Sequence, residues 1–528
     1  MFETKELMRI IFGAVLLTCY SQPTNNLKIL GIFPLNGKSH FIMFERLAKG
    51  LAEKGHQIDV YSHFPLKKSI PNYKDFSLDG SLRIIQNNMT YNDMLQYQSL
   101  NVPNMMNAVG TNICELMSHP VFQNLLKNPP RNPPYDIIIV EAFLFNCHFA
   151  WGRYLNIPMV GIMSTTILDW YHKSFGNPSM PTFTSGSNIL QMTFMQRLSN
   201  TIFNTLMSQY IQYHILGQSK YIEKYFGPGY PDTIEIQKDL DLLLVNSHFS
   251  LEGIRANTPA IVPVAGLHIK DDDTKLTEKL KKWLDDSKSG CIYFSFGSMV
   301  RIETFPNSVL KAIYTTFKNI SPVRVLMKIA NPDELPPGLP SNVMTQTWFS
   351  QEQVLKHKNT KLFITHGGLM GVQESIYFAV PMITIPLFGD QHINAQCNVD
   401  HGISILIDHH NITEESFTSG IKEVLHNPIY KKNSDKLAKL FRDRPIKPLD
   451  TAIYWIEYIS RHGKKAIQSP LVEMQWWKAN SLDIYAFIWL VLFFFLYVLQ
   501  VIVKKIYKLC CPSNQNRASS LIKSKKIQ

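Results

Sequence analysis

The chain has 528 residues, 45% of them hydrophobic and 18% charged, with a formal net charge of +12. It is too long for one ordinary core and too apolar for a disordered chain, so at least two folded domains are expected. Seven of its Lys and Arg residues lie between Lys504 and Gln528 with no acid among them. The rest is only mildly basic, which argues against nucleic acid as a partner and for anionic membrane lipid.

Residues 1–21 have the layout of a secretory signal peptide: charged residues precede the apolar stretch Ile10–Leu17, and small or polar residues follow. A first domain is expected over residues 22–270. Lys28–Phe33 is short and apolar, as a buried parallel strand is, and Phe44, Leu47 and Leu51 then recur at helical spacing. Gln57–Ser62 completes a βαβ unit, and Tyr135–Phe143 and Met159–Met163 read as further strands. The acidic segment around residues 267–275 reads as a linker. A second domain is expected over 271–483, with strands at Cys291–Phe296, Val323–Met327, Leu362–Thr365 and Met382–Pro386 between helical stretches. Such alternation implies parallel sheets in both halves, with ligands at the carboxyl ends of strands. Residues 484–503 carry no charge and as a helix would span about 30 Å, one bilayer core. Lys504, Lys505 and Lys508 follow, so 504–528 is expected to be a cytosolic basic tail. Its last residues, Lys525-Lys526-Ile527-Gln528, resemble a dilysine retrieval signal. A type I, single-pass protein of the endoplasmic reticulum with a lumenal body is therefore expected.

The densest functional signal is residues 363–391, FITHGGLMGVQESIYFAVPMITIPLFGDQ. An apolar strand runs into His366-Gly367-Gly368, and a helix-like stretch then carries Glu374. A second apolar run, Pro381–Leu387, ends in Gly389-Asp390-Gln391. Strand, glycine turn and helix together present backbone N–H groups and a positive helix end to a phosphate, and glycines let the backbone approach it closely. This combination resembles the donor-sugar signature of the UDP-glycosyltransferases, the family of the animal UDP-glucuronosyltransferases. The resemblance runs from about Lys28 to Trp477 and includes the anchor and lysine-rich tail.

That resemblance implies a GT-B fold, two facing Rossmann-like domains with parallel sheets, plus the C-terminal transmembrane helix. It implies inversion at the anomeric carbon, with UDP-glucose or UDP-glucuronate as co-substrate. His40, in GKSHF, matches the stretch that carries the catalytic base, a role suited to histidine. Glu141 stands where the family has an Asp to orient that ring, and Asn146 is an alternative partner. Trp348 would stack on uracil and Gln351 would bond its edge. Gly297, Ser298, His366, Gly367 and Gly368 would hold the diphosphate, Glu374 the ribose, and Asp390 and Gln391 the sugar hydroxyls. Besides Glu141, two positions depart from the family: Ser350 replaces a Pro, and Met370 replaces an Asn.

Asp271-Asp272-Asp273 has the spacing a manganese-using transferase would employ, but it lies in a Lys-rich linker with no strand to place it in a cleft. His401, His409 and His410 lack metal-ligand spacing. No metal and no other cofactor is expected. The acceptor, a small lipophilic hydroxyl compound, is expected against residues 90–125 and 165–230. Met94, Met105, Met106, Met117, Phe175, Phe183 and Phe194 supply deformable apolar surface there. Cys19 falls in the signal peptide, and Cys510 and Cys511 on the cytosolic side. Cys114, Cys147, Cys291 and Cys397 read as buried small hydrophobes rather than a disulfide framework. Asn88, Asn319 and Asn411 head glycosylation sequons. GKSHF, VEAF and GDQ look most like arthropod members, which favours glucose transfer, for detoxification or metabolite conjugation. Homo-oligomerisation stays open. The alternatives are a dedicated lipid- or sterol-glycosylating enzyme and a catalytically silent ligand-binding relative.

Overall fold

The computed structural model describes residues 26–99, 102–178, 192–272 and 274–510. The signal-peptide reading, Phe183, Asp273 and the tail beyond Cys510 lie outside them. The chain divides into one unit through Gln468 and a second from Ser469.

The first unit holds two parallel sheets. Strands β1 (Lys28–Phe33), β2 (Gln57–Ser62), β3 (Tyr73–Ser77), β4 (Ile137–Glu141), β5 (Met159–Met163), β6 (Leu240–Val245) and β7 (Ile261–Pro263) form the first. Their order is β3-β2-β1-β4-β5-β6-β7. The second sheet, ordered β10-β9-β8-β11-β12-β13, comprises β8 (Cys291–Ser295), β9 (Arg324–Lys328), β10 (Val343–Gln346), β11 (Thr360–Thr365), β12 (Met382–Thr384) and β13 (Ser404–Leu406). Every residue of β4, β5, β6 and β8 is buried, because helices cover both faces of a parallel sheet. Two facing Rossmann-like halves, the GT-B arrangement, result. β3, β6, β7, β10 and β13 were not foreseen as strands. Three of these are only three or four residues long, or lie where polar residues interrupt the apolar run.

Each sheet order reverses once beside its first strand, between β1 and β4 and between β8 and β11. At such a point the connections leave in opposite directions and open a crevice at the carboxyl ends of the strands. Both crevices face one cleft.

Two segments tie the halves together. Residues 85–91 run along the second half: the Asn87 N–H donates to Ser298 O at 2.8 Å, Met89 N–H to Met299 O at 3.1 Å, and Arg301 N–H to Met89 O at 2.9 Å. The helix Tyr91–Gln98, capped by Thr90 and Asp93, then buries Met94 among Ile292, Phe296 and Val300. In return, the helix Pro448–His462 packs Ala452, Ile453, Ile456 and Ile459 against Phe44, Leu47 and Leu51 of the first half. Each buried Ile contributes about 1.5–3 kcal/mol.

Cys114 and Cys147 form a disulfide, with Cα atoms 5.9 Å apart across 33 residues. This corrects the reading of both as lone buried thiols. The turn at Asn112–Glu115 docks beside the turn Asn146–Phe149, which follows β4, a contact that no local pattern announces. Closing a loop of that length is worth about 3–4 kcal/mol.

In the second unit, Leu482–Cys510 is one continuous 29-residue helix, long and apolar enough to cross a membrane. At 1.5 Å per residue it extends about 44 Å. A chain ending at Ser481 should therefore appear in the soluble fraction of a carbonate extraction, while the full chain stays with membranes. Retention of the truncated chain in the pellet would remove this helix as the anchor.

Candidate active site

The cleft between the halves has a volume of about 670 Å³, within the range of small-molecule sites. On its first wall, β1 ends at Phe33 and the helix Lys38–Glu53 begins five residues on, which puts His40 in the first helical turn. Glu141 is the last residue of the neighbouring strand β4. His40 Nδ1 lies 2.9 Å from Glu141 Oε1. An ionised carboxylate only accepts, so this bond puts the proton on Nδ1 and leaves Nε2 as the ring's acceptor. Glu141 is 1% exposed, and its other oxygen accepts the Leu35 N–H at 3.4 Å. Asn146 is turned elsewhere: its Nδ2 donates to Gln237, and its Oδ1 accepts from Tyr171. Phe143 lies edge-on to the His40 ring at 5.0 Å.

On the opposite wall, His366 follows β11 and Gly297-Ser298 follow β8. The His366 ring is clasped by glycines. A Cβ on Gly297 would lie 2.7 Å from its Cε1, and one on Gly368 would lie 2.7 Å from its Nε2. Gly297 also has a left-handed φ of +72°. Loss of hydration, then the nearby Lys328 ammonium, pulls the His366 imidazolium down to about 4, so at neutral pH the ring is an uncharged donor or acceptor. The Ser298 hydroxyl is buried in the cleft wall with no hydrogen-bond partner among the described residues.

Asn394 Nδ2 donates to Gly367 O at 3.0 Å and to Asp390 Oδ2 at 2.9 Å, which pins the glycine turn to the start of the helix Gln391–Asp400. Gln391 Oε1 accepts the N–H groups of Leu387 and Phe388, so its amide N–H groups remain for a ligand. Trp348 is 51% exposed and presents a flat face to the cleft. Gln351 is more occupied than its expected role requires. It accepts from Tyr293 Oη at 3.1 Å and donates to Glu374, while His268 approaches the other Glu374 oxygen at 3.4 Å. It therefore orients Glu374 and keeps one N–H in reserve.

Several expected features fall elsewhere. Met94, Met106, Met117 and Phe175 are core residues, not an acceptor surface. Met105 packs partly against the same core, and Phe194 lies exposed on the helix Phe194–Leu216. Apolar side chains of this kind serve a core as readily as a ligand surface, and nothing local in the chain tells the two apart. Apolar residues that do line the cleft include Ile42, Met299, Phe349, Phe363, Leu369, Met370 and Phe388. Asp272 borders the cleft, contrary to the reading of a free linker, and Asp271 pairs with Lys356 at 3.0 Å. Asp408, His409 and His410 bring ligand-type atoms within 4.8 Å of one another on a turn that does not line the cleft. Of the sequons, Asn319 and Asn411 are exposed. Asn88 is half-buried, with Nδ2 donating to Ile84 O at 2.7 Å. Sequence reasoning missed Lys328, whose only signal was a charged residue closing the buried run Val325–Met327.

The family model "UDP-glucoronosyl and UDP-glucosyl transferase" matches residues 38–517. UDP-glucosyltransferase 2 of Dactylopius coccus is 32% identical over 95% of this chain and 96% of its own length. Human UDP-glucuronosyltransferase 2B17 is 27% identical over 90% of this chain and 93% of its own length. A crystal structure of the glycotransferase of kitacinnamycin superposes with a TM-score of 0.54 at 15% identity, over 82% of this chain and 99% of that one, a likeness of fold.

Proposed function

The chain belongs to the UDP-glucuronosyl and UDP-glucosyl transferase family, and from that premise we propose that it moves glucose, with inversion, from UDP-glucose to hydroxyls of small lipophilic acceptors. That it is a UDP-glycosyltransferase follows from the family; the sugar, the acceptor and the residue roles are our reading. The carrying observation is the His40–Glu141 pair, 2.9 Å apart, facing the glycine-clasped His366 and Asp390-Gln391 across one cleft.

His40 Nε2 takes the acceptor hydroxyl proton as its oxygen attacks the anomeric carbon from the face opposite the departing UDP. Glu141 stabilises the imidazolium that forms. His366, the Ser298 hydroxyl and the N–H groups of Gly367 and Gly368 bind the diphosphate as negative charge develops on it. Trp348 stacks on uracil, Glu374 takes the ribose, and Asp390 and Gln391 take the hexose hydroxyls. Glucose is favoured over glucuronate by the likeness to UDP-glucosyltransferase 2 of Dactylopius coccus, 32% identical over 95% of this chain. The Cys114–Cys147 disulfide supports an oxidising compartment for the body, and the lysines after residue 503 support a cytosolic tail, as in a type I protein of the endoplasmic reticulum.

Microsomes holding the protein, supplied with UDP-glucose or UDP-glucuronate and a panel of phenols, should yield glucosides detectable by mass spectrometry. Activity should survive EDTA and the change of Asp271, Asp272 and Asp273 to Asn. Glucuronides alone would overturn the sugar assignment. Loss of activity in EDTA that manganese restores would overturn the metal-free donor site.

A further inference from the structure

We propose that Lys328 is a direct ligand of the donor diphosphate and supplies the cation that neutralises it, an inference that rests on the UDP-sugar reading of the cleft. Lys328 closes β9, is 6% exposed, and lines the cleft with Ser298, Trp348 and His366. Its ammonium lies 6.0 Å from the centre of the Trp348 ring, between the nucleoside platform and the glycine turn. Its hydrogen-bond partner is a neutral amide: Nζ donates to Asn87 Oδ1 at 2.5 Å. The nearest influential carboxylate, Glu303, is engaged by Arg301 at 3.1 Å and by the N–H groups of Ala330 and Asn331. Of the other cations lining the cleft, Lys38 and Lys49 are both committed to Glu45, at 2.8 and 2.6 Å, Arg46 pairs with Glu53 at 3.6 Å, and Lys270 is exposed to solvent.

A nearly buried ammonium whose hydrogen-bond partner among the described residues is an amide is costly unless an anion joins it. Burial lowers Lys328 to about 8, with Glu303 acting in the opposite direction. The neighbouring groups do not supply the missing charge. His366 is uncharged at neutral pH, and Met370, in the first turn after the glycines, offers no polar side-chain atom. A UDP leaving group carries its charge on the diphosphate, and Lys328 is the cation aimed there.

Asn87 is the positioning residue. It holds a left-handed φ of +52°, and its N–H is fixed to the Ser298 backbone carbonyl at 2.8 Å, so one residue ties the Lys328 anchor to the backbone that carries the Ser298 hydroxyl. Because Asn87 belongs to the first half and Lys328 to the second, the cation reaches its place only where the segment 85–91 is docked.

The test compares full-length wild type, Lys328→Met and Lys328→Arg in detergent, with UDP and uridine binding read by equilibrium dialysis. Wild type should bind UDP more tightly than uridine. Lys328→Met should weaken UDP about 10- to 100-fold, the value of a bond between charged groups, and leave uridine within about twofold. Lys328→Arg should recover most of the loss. Unchanged UDP affinity in Lys328→Met would overturn the proposal while leaving the donor site intact. Equal loss of uridine and UDP would make Lys328 a structural residue and also overturn it. Failure of wild type to bind either compound would sink the donor reading, and the proposal with it.

Discussion

Turnover in His40→Ala should fall by about 10²–10⁴, the usual contribution of a positioned general base, while UDP affinity stays close to wild type. The separation follows from geometry. His40 stands on the first half and the proposed nucleotide contacts on the second, so removing the imidazole leaves Trp348, Glu374 and the glycine turn untouched. Glu141→Gln provides the companion measurement. The amide keeps the side-chain shape in a site only 1% exposed but can donate to His40 Nδ1, which would move the ring proton to Nε2 and block acceptance there. Turnover should drop without a matching loss of melting temperature. Near-normal turnover in both variants would take the pair out of the mechanism.

The second large effect should come from His366. Its replacement by Ala removes a hydrogen bond to an anionic group, about 1.5–3 kcal/mol, and should raise the dissociation constant for UDP about 10- to 100-fold. The glycine clasp makes the same point without deleting a functional group. Gly368→Ala places a methyl 2.7 Å from His366 Nε2, and Gly297→Ala places one 2.7 Å from Cε1 on a backbone with positive φ. Either should displace the ring and weaken UDP in the same direction as His366→Ala. Wild-type UDP affinity in all three would mean that the diphosphate does not rest on this turn.

Much of this site was legible because its parts are contiguous. Strand, double glycine, helix and Asp390-Gln391 fall within 29 residues, and glycines beside a strand end carry their meaning locally. His40 could be read for the same reason, being the first histidine after the first strand. The partner Glu141 was weaker evidence, since 101 residues separate the two and only the adjacency of β1 and β4 brings them together. Met94 shows where reading failed. It was expected on the acceptor surface, yet it is buried in the core of the other half. Cys114 and Cys147 failed alike, because a disulfide depends on the docking of two turns and not on spacing.

The sequence by itself determined eight of the thirteen described strands, where a glycine turn suited to phosphate follows a strand, and which helix is apolar enough for a bilayer. These follow from hydrophobic periodicity and glycine stereochemistry, both of which act within a few residues. Tertiary structure alone decided what crosses between the halves: the segment 85–98 laid into the second core, the helix Pro448–His462 returned to the first, and the Lys328 ammonium anchored on Asn87. Contacts of that kind are set by complementary surfaces hundreds of residues apart, and burial patterns along a chain record that a residue is covered without recording by what.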